Sequence, residues 1–151
     1  MKTDKKDLPL DQFIEFALYD KVNGYYMKKN PFGKEGDFIT APNITRLFSE
    51  IIAIWVLTFW KSIGSPRKFN LLELGAGNGE MMKVIIETLK NFPECFNNCN
   101  FQIHEKSEFL KKQQQFNFKS EKMTWIDDIK INNLFPTIYL ANEFFDALPI
   151  K

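Results

Sequence analysis

The sequence predicts an α/β fold, in which a parallel sheet of four strands is covered by helices on both faces and preceded by an N-terminal helical extension. From residue 69 onward, short apolar runs typical of strands alternate with segments of helical periodicity. This alternation is the pattern of strand-helix-strand units. Before that point, apolar residues recur only at helical spacing. We therefore expect an extension over residues 1–66 and an α/β domain over residues 67–151.

The extension is predicted to contain two helices separated by a loop. Residues 10–19 carry apolar side chains at helical spacing. Residues 25–42 hold too many glycines and prolines for a long element, so a structured loop or short hairpin is expected there. A long helix is predicted over residues 43–63. Its apolar run is shorter than the roughly 20 residues that a membrane span needs, so a buried helix is expected.

The α/β part is predicted to contain four strands and two long helices. The predicted strands cover residues 69–74, 101–105, 123–125 and 137–141, and the predicted helices cover residues 80–92 and 107–118. In a parallel sheet the carboxyl ends of the strands share one edge, which is where such sheets bind ligands. Candidate site residues are therefore expected just after the strands.

Composition argues against several classes of function. With 20 basic and 19 acidic residues the net charge is +1, so neither a nucleic-acid nor a membrane partner is expected. Cys95 and Cys99 lie in a predicted loop rich in proline and asparagine, and the chain has one histidine, so no metal site is expected. Residues 1–7 lack an apolar export core and hold too many acids for a mitochondrial transit peptide, which predicts a cytoplasmic protein.

A glycine-rich loop, Glu73-Leu74-Gly75-Ala76-Gly77-Asn78-Gly79, follows the first predicted strand and opens a helix. Its third glycine comes one place earlier than in the dinucleotide fingerprint. Acids at 73 and 80 would repel a pyrophosphate but suit the ammonium and sulfonium of S-adenosylmethionine (SAM). We therefore predict that SAM is bound by Glu73, Gly75, Ala76, Gly77 and Gly79. A tight turn without a ligand is the alternative.

Acids after the next two strands are predicted to complete the cofactor site. Glu105 ends the second strand, where a carboxylate can accept hydrogen bonds from both ribose hydroxyls. Asp127 and Asp128 follow the third strand, where either could accept from the exocyclic amine of adenine. A solvated strand-end acid is the alternative for Glu105, and a helix N-cap is the alternative for the two aspartates.

Five motifs along nearly the whole chain resemble those of one known family. They are ALY at 17–19 with GYY at 24–26, GDFITAP at 36–42, ELGAGNG at 73–79, His104-Glu105-x-Ser107-x-x-Leu110-x-x-Gln113, and ANEFFDALP at 141–149. Through these motifs the chain resembles the MidA-like methyltransferases, a family that includes the mitochondrial arginine methyltransferase needed for assembly of respiratory complex I. Three positions depart from the family pattern. Asn43 stands where the family usually has glutamate, and Ala76 and Asn78 stand where it often has proline and arginine.

The resemblance implies a partial Rossmann-like class I SAM-dependent methyltransferase sheet, of which the chain holds the first four strands. It implies a protein arginine N-methyltransferase linked to complex I assembly, with SAM as its cofactor. It also implies a protein substrate, for which a complex I subunit is one candidate. The departures in the motifs lead us to expect an altered cofactor affinity.

An arginine substrate would require carboxylates near the cofactor, because they can hold the planar, cationic guanidinium in one orientation. Glu143 and Asp146, after the fourth strand, are predicted to provide this grip. Asp37 is predicted to contact substrate or cofactor, and Asn142 to make a hydrogen bond on the cofactor side. Capping of a helix or turn is the alternative for Glu143 and Asp37.

Two other functions remain open at this stage. The family's chain continues well past residue 149, so a non-catalytic, truncated or split-gene fragment that keeps the SAM-binding half is one alternative. A half sheet leaves an unpaired edge at the fourth strand, so a second polypeptide supplying the C-terminal half is a candidate partner. The more remote alternative is an NAD-binding oxidoreductase.

Overall fold

The computed structural model describes residues 8–28, 31–33, 36–119, 122–129 and 134–150. The strands are β1 (Phe69–Leu74), β2 (Cys99–His104), β3 (Met123–Ile126) and β4 (Thr137–Leu140). The helices are α1 (Leu10–Tyr19), α2 (Tyr25–Lys28), α3 (Ala41–Ile44), α4 (Arg46–Ser62), α5 (Glu80–Leu89), α6 (Pro93–Asn98) and α7 (Glu108–Asn117), and a 3₁₀ turn covers Phe145–Ala147. The predicted α/β class is confirmed. Residues 1–7, used for the targeting prediction, and Asn30, one of the residues predicted to break regular structure, lie outside the described residues.

The four strands form one parallel sheet in the order β3-β2-β1-β4. All six residues of β1 are buried, because strands pair with both of its edges and the core cluster packs against one face of the sheet. The opposite face is more open, since Tyr139 of β4 is 46% exposed and Asn100 of β2 is exposed, so the described helices do not cover both faces as predicted. Beyond the strands, the Gly75 amide donates to the His104 carbonyl at 2.9 Å. The loop after β1 therefore lies directly beside the segment after β2.

The hydrophobic core joins α4 and α5 to the sheet. Trp60 of α4 is buried, its ring centroid lies 6.3 Å from that of Phe69 in β1, and its indole nitrogen donates to the Pro66 carbonyl at 3.0 Å. Met82 and Ile85 of α5 are buried in the same cluster. The last helix of the extension is thus part of the core of the α/β domain, and the boundary between residues 66 and 67 stays a prediction.

Two predicted elements are wrong, each for a local reason. The single helix over residues 43–63 is divided at Thr45, which is extended and whose hydroxyl accepts from the Leu47 amide, so it is the N-cap of α4. The segment around Cys95 forms α6, because Pro93 occupies the first turn of a helix, where its missing N–H is not needed. Cys95 and Cys99 are buried free thiols.

The expectation that the apolar helix is buried holds for one face of α4 only. Ala53, Val56 and Trp60 face the core, whereas Ile51 and Trp55 remain 58% and 51% exposed. The prediction is wrong for this outer face because the nine apolar residues between positions 51 and 60 lie all around the helix, while the core covers one side. Among the described residues, no helix is long and apolar enough to cross a membrane.

A ladder of polar side chains crosses the sheet near the start of β1. Asn100 of β2 donates to Asn70 at 3.0 Å, and Asn70 donates to the Thr137 hydroxyl at 3.1 Å. The three residues are direct neighbours in the strand register. Asn70 is buried, so these bonds satisfy an amide that would otherwise be costly to desolvate.

Replacement of Asn70 by alanine should lower the free energy of unfolding by about 2 kcal/mol, because it opens a cavity and removes the shared partner of Asn100 and Thr137. Urea denaturation followed by circular dichroism measures the change. Asn97→Ala, at an exposed position of α6, is the control and should stay within about 0.5 kcal/mol of wild type. An Asn70→Ala chain as stable as this control would show that the ladder contributes nothing.

Candidate cofactor-binding site

The loop between β1 and α5 turns through left-handed backbone at its glycines. Gly75 and Gly77 have φ of 63° and 56°, a region that favours glycine. A Cβ on Gly75 would lie 2.6 Å from the Phe144 ring, and a Cβ on Gly77 would lie 3.0 Å from the Phe32 ring. Glycine is therefore required here both by the turn and by the close approach of two aromatic rings from distant segments.

Two cavities open beside this loop. The larger has a volume of about 240 Å³ and is bounded by the glycine loop, by Glu105 and Lys106 after β2, by Ile129 after β3, and by Tyr19 and Tyr26 of the extension. The smaller has a volume of about 50 Å³, and its lining includes Glu73, Ala76 and Asn142.

The two cavities meet at the glycine loop. Phe32, Gly75, Gly77 and Glu143 line both of them. Glu143 has a φ of 49°, which is unusual for a residue other than glycine and is typical of functional sites held by their surroundings. The following 3₁₀ turn has no side-chain cap, so the structure gives Glu143 no capping role there.

Glu73, at the end of β1, is a buried acid on the smaller cavity. It is 4% exposed, and among the described residues its Oε2 has no hydrogen-bond partner. Burial, with a contribution from nearby Glu105, raises the pKa of Glu73 to about 8, against a hydrogen bond from the Met82 amide. A buried carboxylate oxygen without a donor, facing a cavity, is suited to receive a cation.

Both carboxylate oxygens of Glu105, unlike those of Glu73, have hydrogen-bond donors. Its Oε1 accepts from the Ser107 amide at 2.9 Å, and its Oε2 accepts from the Gln114 side chain at 3.2 Å. Burial raises the pKa of Glu105, while these two hydrogen bonds act to lower it. The carboxylate is thus fixed at the wall of the larger cavity, unlike a solvated acid at a strand end.

The structure does not bring every predicted site residue to the cavities. Asp127 is 87% exposed at its side chain and accepts from Lys111 at 3.0 Å, because the chain after β3 directs it towards α7. Neither Asp127 nor Asp128 is among the lining residues, although the next residue, Ile129, is. The predicted contact of these aspartates with adenine is therefore not supported by their placement.

Of the acids predicted to contact the substrate, only Glu143 lines the cavities. Asp37 is exposed and accepts a hydrogen bond from the Tyr25 hydroxyl, and Asp146 is exposed in the 3₁₀ turn. Neither is a lining residue. Gly79 is the N-cap of α5 and likewise lies outside the lining. Glu73, Gly75, Ala76, Gly77, Glu105, Asn142 and Glu143 are the predicted site residues that the structure brings together.

Three contributors to the site, Tyr19, Phe32 and Gln114, were not predicted from the sequence. Tyr19 and Phe32 flank the ring of Tyr26, with centroids at 5.9 Å and 6.1 Å, and all three line the larger cavity. The Tyr19 hydroxyl donates to the Ala147 carbonyl at 2.9 Å. The third is Gln114, which is 0% exposed. The sequence holds a signal for Gln114, because this polar residue lies four residues from both Leu110 and Phe118 and therefore on the same apolar helix face.

Two of the departures from the family pattern contact each other. The Asn78 side chain donates to Asn43 Oδ1 at 2.7 Å, and Asn43 donates to the Thr40 hydroxyl at 2.9 Å. A neutral amide pair therefore ties α3 to the glycine loop, at positions where the resembled family usually has glutamate and often has arginine.

Similar curated proteins are described as mitochondrial arginine methyltransferases. The chain is 32% identical to the Drosophila melanogaster protein arginine methyltransferase NDUFAF7 homolog, a match that spans 95% of this chain and 38% of that protein. It is 28% identical to human NDUFAF7, across 92% of this chain and 37% of the human protein. The chain thus spans less than two fifths of the length of these relatives.

Solved structures share the fold. A Burkholderia thailandensis protein described as a candidate methyl transferase, crystallised with S-adenosyl-homocysteine (SAH), superimposes with a TM-score of 0.79 at 24% identity. The match covers 94% of this chain and 38% of that chain. A second structure from the same organism matches with a TM-score of 0.72 at 23% identity. The four strands and the extension therefore occur together in an experimental structure.

The predicted cytoplasmic location is wrong. The Drosophila and human relatives are both named as mitochondrial proteins. The prediction failed because it depended on the charges of residues 1–7, and such a count tests for one kind of targeting segment alone.

A family model described as a putative S-adenosyl-L-methionine-dependent methyltransferase matches residues 51–151. This range contains the glycine loop, Glu73, Glu105 and Glu143. The match confirms the predicted class of enzyme and SAM as its cofactor, and it gives no support to the NAD alternative. The individual site residues stay predictions. The chain belongs to the family of S-adenosyl-L-methionine-dependent methyltransferases that this model describes.

Proposed function

We propose that this chain forms the SAM-binding half of a protein arginine methyltransferase. The observation that carries the proposal is the pair of acids on the two cavities that meet at the glycine loop, of which Glu73 is buried and Glu105 is half-buried. Buried acids are costly unless a partner compensates them. A ligand with a cationic amino-acid end and a ribose would compensate both.

Each part of the cofactor has a matching group in the chain. Glu73, with its unpartnered Oε2, would receive the ammonium group, and Asn142 lines the same cavity. Glu105 would accept from the ribose hydroxyls, and the apolar side chains of Leu110 and Ile129 would contact the adenine. When bound, SAM supplies an electrophilic methyl group on a positively charged sulfur.

Glu143 is the group proposed to act on the substrate. It lines both cavities, so this residue lies where the amino-acid and nucleoside ends of the proposed cofactor would meet. A carboxylate there can orient a guanidinium and favour the charge distribution that frees a nitrogen lone pair. The names of the relatives support arginine in a protein as the acceptor and mitochondria as the location.

Two parts of the wider proposal depend on the rest of the protein. A complex I subunit as substrate is supported only by the family resemblance. A second polypeptide that pairs with β4 is supported by the position of this strand, which pairs with β1 alone among the described strands. The alternative of a non-catalytic fragment that keeps the SAM-binding half also stays a prediction.

Cofactor binding is the first test. Isothermal titration calorimetry should show that the chain binds SAH and does not bind NADH. Glu105→Gln should weaken SAH binding on the order of tenfold or more, because it removes a charged acceptor of the ribose hydrogen bonds. Glu108→Gln, an exposed acid three residues further on, is the matched control and should bind as wild type does. NADH binding without SAH binding would reverse the cofactor assignment.

A pH series tests the environment of Glu73. Its folded-state pKa of about 8 lies above the value of 4.5 expected in the unfolded chain, so the folded state binds the proton more tightly. Its contribution to stability is therefore fully present below pH 4.5 and is lost as the pH rises towards 8, at about 1 kcal/mol for each pH unit.

Urea denaturation of wild type and Glu73→Gln between pH 5 and pH 8 should therefore show a steeper loss of stability with pH in the wild type. All other groups are shared, so the difference between the two proteins isolates Glu73. Saturating SAH should reduce this difference, because its ammonium favours the ionised acid. Parallel stability curves for the two proteins would mean that Glu73 is ionised without a ligand.

Methylation tests the role of Glu143, and it requires a full-length relative, since this chain spans 38% of the Drosophila protein. Changing the glutamate that matches Glu143 to glutamine should lower kcat roughly a hundredfold with an arginine peptide, while SAH affinity stays unchanged. The change that matches Glu108→Gln is the control. Full activity of the first variant would remove Glu143 from the mechanism.

A further inference from the structure

We propose that Gln114 is a positioning residue that fixes the Glu105 carboxylate relative to the glycine loop. The inference rests on the proposed function, because it assumes that the ribose hydroxyls bind Glu105. Gln114 lies on α7, is 0% exposed and is not a lining residue of either cavity. It can therefore influence a ligand only through the groups that it contacts.

Three segments of the site meet at the Gln114 amide. Its Nε2 donates to the Gly77 carbonyl at 2.8 Å and to Glu105 Oε2 at 3.2 Å. Its Oε1 accepts from the Trp125 indole N–H of β3 at 2.9 Å. The glycine loop, the acid after β2 and the third strand are thus joined through one buried side chain.

The chemistry of the partners determines which way the amide faces. An indole N–H can only donate, so it requires the amide oxygen. A carbonyl and a carboxylate can only accept, so they require the two hydrogens of the amide nitrogen. Glutamine is matched to all three partners at once, whereas glutamate would place an acceptor against two acceptors.

The neighbours of Gln114 brace the same loop. Asn117, one turn further along α7, donates to the Asn78 carbonyl at 3.3 Å. The Phe118 ring lies where a Cβ on Gly79 would come within 2.8 Å. The face of α7 that carries Gln114 therefore holds the glycine loop at three consecutive points.

The bond to Gln114 also affects the charge of Glu105. Burial raises the pKa of this acid, and the donors from Ser107 and Gln114 oppose that shift. Loss of the Gln114 donor should raise the pKa further and free the carboxylate to turn. Both effects would weaken the acceptor that faces the ribose, without changing any group that touches the ligand.

The test compares SAH with its 2′-deoxy analogue by calorimetry in Gln114→Met, which has a similar length and no hydrogen-bonding amide. SAH affinity should fall on the order of tenfold or more, and the preference for SAH over the analogue should shrink. The pH below which SAH affinity falls, as Glu105 becomes protonated, should also rise. Gln115→Met, exposed on the same helix, is the control and should keep the wild-type preference.

A second variant, Gln114→Glu, guards against a folding defect, because it keeps the shape and still accepts from Trp125. It should lose the ribose preference as well, and the loss should grow with pH as the new acid ionises against Glu105. Circular dichroism confirms the fold of each variant.

The outcomes separate this inference from the proposed function. If wild type binds no SAH, or if Glu105→Gln keeps the full preference for SAH, the proposed function fails. If Glu105→Gln loses the preference while both Gln114 variants keep it, this inference alone is overturned. Equal weakening of both ligands with an unchanged pH profile also overturns it, because it would indicate a merely structural role.

Discussion

Glu73 sits in the most buried strand of the sheet, and one of its oxygens meets no donor among the described residues. A sheet selected for stability alone would place an apolar residue there, since an unpaired buried carboxylate is costly. The second acid, Glu105, increases that cost by repulsion. This local conflict between stability and charge is expected at a binding site.

The remainder of the site compensates for those two charges in different ways. Glu105 accepts from two donors, whereas Oε2 of Glu73 has no donor among the described residues and receives a ligand cation in the proposed function. Ser107 connects the two sides, because it caps α7 and its hydroxyl also donates to the Tyr26 carbonyl at 2.6 Å. The acid that holds the ribose in the proposed function is therefore placed by the same turn that holds an aromatic wall of the cavity.

The periodicity of the sequence was enough to predict the sheet, because burial on both faces leaves a clear run of apolar residues in β1. The place of Glu105 at the site could be predicted because it ends the second strand along the chain. The direction in which an exposed side chain points cannot be predicted from periodicity. Asp37 and Asp127 were therefore predicted at the site, but they pair with Tyr25 and Lys111 instead. Periodicity also cannot reveal a single N-cap such as Thr45, which divides one predicted helix into two.

The extension is more than a support for the α/β domain. Tyr19 and Tyr26 form one wall of the larger cavity, while Gly77 and Glu105 form others, so the cavity has lining residues on both sides of the predicted boundary at residue 66. The Tyr19 hydroxyl donates to the Ala147 carbonyl, and Lys106 lies 4.6 Å from the Tyr19 ring. Removing the first forty residues should open the larger cavity to water, because Tyr19, Tyr26 and Phe32 would be lost from its lining. Because electrostatic interactions with a ligand weaken as water enters, the extension is expected to contribute directly to cofactor affinity.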